Sequence, residues 1–168
     1  MTIEVRLALP TEHDETGRVT AGAYREFVGP EEDDWRDYLS HIANVSERAE
    51  FAEVYVAVED GRIVGSATLE LGDRIDPHED PPLRPHESHI RMLGVDPESR
   101  GRGVARALMA TCEERARTSG RTLMTLNTTQ RMKTAQRMYE TLGYVRGDDR
   151  VLPDGFVLLS YSKDLGPV

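Results

Sequence analysis

The sequence predicts an α/β chain built on one mixed β-sheet with helices on both faces. Three patterns carry that prediction. Two alternating apolar runs flank Asp60-Gly61, a strong hairpin signal, so part of the sheet is antiparallel. In the second half, runs of strand character alternate with helical stripes, which implies locally parallel pairing there. Between the first of those strands and its helix lies Arg100-Gly101-Arg102-Gly103, a tight basic turn. With 168 residues the chain can bury one core, and it reads as a single domain over 1–168.

Taken in order, residues 2–9 alternate Ile3, Val5 and Leu7 with Glu4 and Arg6, a strand ended by Pro10. Thr11 is placed to cap a helix whose first turns carry Glu12, Asp14 and Glu15. That helix is predicted to reach about residue 27 and to stop at Gly29-Pro30. A second helix is predicted over 31–51, with Trp35, Tyr38 and Leu39 or Ile42 on one side. Val54, Val56 and Val58 mark a strand over 53–59, and the chain returns over 63–71. Residues 72–88 show no period and hold four prolines with Asp73, Asp76, Glu79 and Asp80, so they read as a loop. A loop of that length inside a compact domain is usually functional or mobile, and its carboxylates suit a cationic ligand or plain solvation.

The central strand begins at His89, carries Ile90, Met92, Leu93 and Val95, and stops at Asp96-Pro97. A helix over 103–119 follows, with Val104, Leu108 and Cys112 spaced four apart on one face. Next come a strand over 122–127 and a helix over 130–142 whose stripe is Met132, Ala135, Met138 or Tyr139, and Leu142. Gly143 closes that helix. Strands at 144–145 and 156–162 end the chain, with Pro153-Asp154-Gly155 as the turn between them.

Composition narrows the function. A net charge of -9 argues against nucleic acid as a partner, because phosphate neutralisation needs a basic face. The same acidity suits a cationic substrate such as an amine, and it equally serves solubility. No apolar run approaches the ~20 residues needed to span a bilayer, so no membrane partner is expected. A lone Cys112 excludes an internal disulfide and fits a reducing cytoplasm. Its place on the apolar stripe makes it a packed thiol rather than a nucleophile. His13, His41, His78 and His86 have no partner at ligand spacing and read as surface residues; no metal is expected.

The strand–turn–helix at 89–109 presents backbone N–H groups at the positive end of a helix dipole, which is an anion cradle suited to phosphate. Two common phosphate motifs fail on spacing. A P-loop needs Lys and Ser/Thr after its last glycine, and Gly103 is followed by Val104. The dinucleotide fingerprint needs a third small residue where this chain has Arg106. What remains is Arg100-x-x-Gly103-x-Ala105, directly after a strand ending Leu93-Gly94-Val95-Asp96-Pro97. In this the chain closely resembles the GNAT family of N-acetyltransferases, whose coenzyme-A loop reads Gln/Arg-x-x-Gly-x-Gly/Ala. A second motif agrees: Ala135 to Tyr144 is similar to the family's Ala-x-x-x-Tyr-x-x-x-Gly-Phe segment, and residues 158–165 resemble its closing strand. The element order matches over nearly the whole chain.

The resemblance implies a GNAT-like acyl-CoA N-acyltransferase fold and an enzyme that moves the acetyl group of acetyl-CoA to a primary amine. It implies direct attack through a tetrahedral intermediate, with acetyl-CoA as co-substrate and a small-molecule, peptide or protein amine as acceptor. Backbone groups of Gly101, Arg102, Gly103, Val104, Ala105 and Arg106, with the Arg100 and Arg102 side chains nearby, would hold the diphosphate. Strands that splay apart would free backbone groups near Leu93, Gly94 and Val95 for the pantetheine arm and the thioester carbonyl. Tyr139 would protonate the leaving thiolate; the competing reading is a tyrosine filling a helix–sheet interface. Many members carry asparagine seven residues before that tyrosine, where this chain has Met132, and Asn127 is the substitute.

For the base the resemblance points to the start of the central strand, where many members carry glutamate and this chain has His89. Histidine titrates near pH 6.5. Glu87 lies two residues away and so shares its face in an extended chain. Water relaying the proton to solvent is the third reading. The helical pair over 11–51 would line the acceptor site. A longer acyl-CoA donor and a non-catalytic acyl-CoA-binding module stay open as rivals, and so does a homodimer.

Overall fold

A computed structural model describes residues 2–27, 33–72, 80–153 and 155–167. The Gly29-Pro30 stop, His78, the carboxylates Asp73, Asp76 and Glu79, the side chain of Trp35 and Asp154 of the last turn lie outside the described residues. The order is β1 (Ile3–Leu7), α1 (His13–Tyr24), α2 (Asp33–Ala43), α3 (Val45–Arg48), β2 (Glu53–Glu59), β3 (Arg62–Glu70) and β4 (Glu87–Val95). Then follow α4 (Val104–Thr118), β5 (Leu123–Thr129), α5 (Lys133–Thr141), β6 (Val145–Arg146), β7 (Arg150–Val151) and β8 (Val157–Asp164). One sheet runs β1-β2-β3-β4-β5-β8-β6, with β7 also on β8. Every pairing is antiparallel except β4–β5, which is parallel. The mixed sheet follows from local chemistry. Asp60 and Gly61 both take positive φ, which a two-residue hairpin needs, and the β4–α4–β5 crossover returns the chain in the same direction.

The two faces are legible from two glycines on neighbouring strands. A Cβ on Gly65 would stand 2.8 Å from Val104 of α4, whereas one on Gly94 would stand 3.0 Å from Ala23 of α1. Gly65 pairs with Val95, and Ser66 with Gly94, so α4 covers one face and α1 the other. Leu108, Met109, Cys112 and Ala116 of α4 are fully buried on the first face against Leu69, Ile90, Met124 and Leu126. Burying each large apolar side chain contributes roughly 1.5–3 kcal/mol, which makes this the main core. On the second face Ala21 and Ile42 meet Met92 in a smaller cluster.

Three expectations change. The predicted helix over 31–51 is two helices, α2 and α3, because Asn44 breaks the run and its side chain accepts from the Glu47 N–H. Thr11 does not cap α1. Instead Glu12 holds the chain before the helix, its carboxylate accepting from the Leu9 N–H at 2.8 Å and from both Arg6 terminal nitrogens at 2.9 and 2.7 Å. The last hairpin also contains an extra short strand, β7.

The Glu12 contact carries a pH signature. Hydrogen bonding to Arg6, then to the Leu9 N–H, pushes its carboxyl down to about 2. A depressed pKa stabilises the fold above the unfolded carboxyl's ~4.3 and loses that contribution as pH falls through the folded value. Glu12→Gln should lower Tm at pH 7 by about 2–4 °C, a modest figure because the pair is partly exposed to solvent. The gap from wild type should narrow between about pH 4.3 and 2. An equal gap at both ends of that range, by thermal scans, would remove the ion pair from the explanation.

Candidate active site

The site is built where β4 leaves β5. Their parallel ladder runs from Glu87↔Leu123 to Ile90↔Leu126, yet β4 continues to Val95 and β5 to Thr129. The cause of the separation lies on the other side of β4. Arg91 pairs with Thr68 and Gly94 with Ser66, so Met92 and Leu93 together stand opposite Ala67, a bulge with one extra residue. Met92 takes φ 54°, a conformation that costs a non-glycine residue about 1–3 kcal/mol. Its side chain, packed with Ala21 and Ile42 beneath α1 and α2, holds it there. Leu93, Gly94 and Val95 therefore lie past the end of the parallel ladder. Asn127 is the first β5 residue beyond the last pair, and its Oδ1 accepts from the Ser160 hydroxyl at 3.2 Å.

Beyond β4 the turn reaches α4. Gly101 and Gly103 have φ of 80° and 84°, and a Cβ on either would meet nothing within 4 Å, so the space before the helix is open. The first main-chain bond of the helix is Ala107 N–H to Gly103 C=O at 3.0 Å. The N–H groups of Val104, Ala105 and Arg106 thus have no partner within the helix and point out of its N-terminus. The two arginines of the turn face elsewhere. Arg100 pairs with Glu26 and donates to the Ala23 carbonyl at 3.2 Å, which ties the turn to the end of α1. Arg102 pairs with the buried Glu59 at 2.8 Å. The open cradle is therefore backbone, with the exposed Arg106 beside it.

Tyr139 of α5 is 6% exposed, with its ring 5.9 Å from those of Tyr144 and Tyr161. Burial alone pushes its phenol well above the ordinary tyrosine value, so it stays protonated. It also lies near enough to Tyr24 of α1 to help raise that phenol, behind the larger effect of burial.

His89 and Glu87 share a face of β4, as an extended strand requires, and Thr125 of β5 stands between them. Its hydroxyl lies 2.7 Å from His89 Nδ1 and 2.7 Å from Glu87 Oε2. Burial acts to raise the Glu87 carboxyl, but bonds from Thr125 and from the Arg84 N–H and guanidinium outweigh it and hold the carboxyl below its usual value. On the same face Arg91 lies between Glu70 at 3.2 Å and Asp80. Asp80 also takes Arg150 of β7 at 2.9 Å. Asp80 is therefore neither waiting for a cationic ligand nor merely solvated, the two readings open for it, because Arg91 and Arg150 already neutralise it. Behind these, Arg48 of α3 is buried, and it donates to the Ile42 carbonyl at 2.6 Å and the His41 carbonyl at 3.0 Å. Burial pushes its pKa down to about 10.

Sequence reasoning did not single out Thr125, Arg91 or Arg48. Thr125 could have been found by laying the two predicted parallel strands side by side, since it is the register partner of His89. Nothing local marks Arg48.

The fold and this site define an acyltransferase of the acyl-CoA class: an N–H cradle at a helix start, next to parallel strands that part. The chain belongs to the GNAT acetyltransferase family, since residues 18–144 match the Acetyltransferase (GNAT) family. It is similar to S-(2-succino)cysteine N-acetyltransferase of Bacillus subtilis (strain 168), 30% identical over 128 residues covering 74% of this chain and 71% of that protein. It is also similar to human N-acetyltransferase 8B, 37% identical over 68 residues, which cover 40% of this chain; the match spans only 30% of the human protein's length. In three dimensions it resembles an acetyltransferase of Salmonella typhimurium solved with its cofactor acetyl-CoA, with a TM-score of 0.69, 16% identity and coverage of 99% and 95% of the two chains. Among the described residues no helix is long and apolar enough to cross a membrane, and no cluster of three metal-ligating side chains occurs.

Proposed function

We propose that the protein transfers the acetyl group of acetyl-CoA to a primary amine by direct attack. One observation carries the reading: the outward-facing N–H row of α4 and the parting of β4 from β5 lie at the same end of one strand. A diphosphate seated on the first would lead its pantetheine arm into the second. The residues fit the group, because the space before Gly103 is open and the helix end is positive. The N–H groups of Gly103, Val104, Ala105 and Arg106 would hold the diphosphate. Backbone groups of Leu93, Gly94 and Val95 would hold the arm and the carbonyl oxygen, with Asn127 on the opposite wall.

In the reaction the amine nitrogen bonds to the thioester carbon and the carbon–sulfur bond breaks. The thiolate takes its proton from Tyr139, and the ammonium loses its proton to His89. We assign the base to His89 rather than Glu87. A carboxyl held below its usual value is a weak base near neutrality, whereas an imidazole titrates there. The acceptor is taken to be a small amine, with amino-acid conjugates first in line because the Bacillus relative's name describes one. A single buried thiol, Cys112, agrees with a reducing cytoplasm.

The test is turnover of acetyl-CoA across polyamines, aminoglycosides, amino acids and their S-conjugates, and peptide N-termini. Amine-dependent release of free thiol, matched by acetylated amine in the mass spectrum, is expected for at least one class. Hydrolysis alone, or thiol release only from longer acyl-CoA donors, would overturn the reading.

A further inference from the structure

The Thr125 hydroxyl has one hydrogen and three neighbours: Glu87 Oε2 at 2.7 Å, His89 Nδ1 at 2.7 Å and the Ser88 carbonyl at 3.2 Å. A carboxylate only accepts, and so does a carbonyl. The single proton goes to Glu87, the nearer and charged acceptor, since charge-assisted bonds are the shorter and stronger ones. The 2.7 Å contact with His89 then makes sense only if Nδ1 carries hydrogen and donates to the Thr125 lone pair. The alternative, Thr125 donating to a bare Nδ1, would leave the Glu87 oxygen facing a lone pair at the same distance.

We propose that Thr125 is a positioning residue that locks His89 in its Nδ1–H tautomer and leaves Nε2 as the nitrogen that takes up the proton. The chain Glu87–Thr125–His89 connects a fixed negative charge to the imidazole through one hydroxyl. When Nε2 gains a proton, the positive ring keeps its Nδ1–H bond, and Glu87 stabilises the charge across Thr125. The sheet sets the geometry. His89 and Thr125 are register partners on parallel strands, and Glu87 is two residues upstream on the same face.

Other charges bear on the ring. Glu70 is its register partner on β3, fully buried and paired with Arg91, which also meets Asp80 and, through it, Arg150. Arg84 sits on the far side of Glu87 at 3.3 Å. From the helices, Arg48 of α3 adds a buried cation behind Arg91, while Tyr24 of α1 and Tyr38 of α2 have phenol pKa values raised first by burial and stay neutral. β8 contributes Ser160 and Ser162 at the partner positions of Asn127 and Thr125, and no charge there. Thr125→Val therefore removes the one neutral link without altering any charge.

This inference rests on the assignment of His89 as the base, and its test separates the two. Ring ¹⁵N spectra of the full chain report the tautomer without any substrate. Wild type and Thr125→Ser should show His89 with a protonated Nδ1 and a bare Nε2 when neutral, while Thr125→Val should show a mixture or the opposite tautomer. In turnover, Thr125→Val should lower kcat by about ten- to a hundredfold, the equivalent of one charge-assisted hydrogen bond, and shift the acidic limb of the rate–pH profile downward. KM for acetyl-CoA should hold, and Thr125→Ser should restore rate and limb together. A bare Nδ1 in wild type would overturn the inference, as would an unchanged limb in a folded Thr125→Val. If the tautomer is as expected but His89→Gln keeps full rate, the lock exists without a catalytic role, and the inference fails. If no amine is acetylated at all, the proposed function fails and the ring spectra still decide the tautomer.

Discussion

Tyr139→Phe is expected to lower kcat by about 10²–10⁴-fold while leaving acetyl-CoA affinity intact, the usual range for a positioned general acid. The ring packs against Tyr144 and Tyr161, and those contacts belong to its carbons, which phenylalanine keeps. Tyr144 and Tyr161 direct their own hydroxyls to Glu113 and Glu140, each at 3.2 Å. Among the described residues the Tyr139 hydroxyl enters no such bond, so stability has little to lose. Burial holds the phenol protonated through the neutral range, as a donor must be before the reaction. A thiolate departing beside it would take up that proton as the carbon–sulfur bond breaks. Steady-state kinetics with calorimetry on the same preparation checks this. An unchanged kcat would return Tyr139 to the role of a packing residue.

Gly103→Asp is expected to weaken acetyl-CoA binding by at least about a hundredfold in a protein that still folds. The substitution strains a φ of 84°, but aspartate is among the residues that tolerate that region, and a Cβ there has open space. A carboxylate beside the first turn of α4 even suits the helix dipole. The loss falls on the ligand. The new carboxylate stands at the start of α4, in the open space a diphosphate would occupy, and it repels the incoming charge. The turn's own arginines are held by Glu26 and Glu59, which leaves the exposed Arg106 at the edge of the cradle to offset the new charge in part. Calorimetric affinity equal to wild type, with an unaltered Tm, would remove the cradle from the cofactor site.

How much of this was legible beforehand differs by level. β2 is legible to its ends because alternation of Val54, Val56 and Val58 and the Asp60-Gly61 turn are local signals. The break at Asn44 is not, because a continuous helical stripe outweighs one polar residue, and its cap depends on where the Glu47 N–H lies. β7 leaves no trace because two residues carry no period. At the candidate site, Gly101, Gly103, Tyr139 and His89 come from the family resemblance, and Glu87 from its period-two spacing with His89.

By itself, then, the sequence determined the mixed sheet, the strand–turn–helix that can seat a phosphate, and which residues share a face within each element. Only the tertiary structure decided that the turn's arginines pair with Glu26 and Glu59, and that Asp80 is clamped by Arg91 and Arg150. It likewise decided that a bulge at Met92 ends the β4–β5 ladder and that Thr125 joins His89 to Glu87. The physical reason is common to all four. Periodicity records which way a side chain points from its own backbone, whereas an ion pair, a bulge or a relay depends on what another segment of the chain places opposite it.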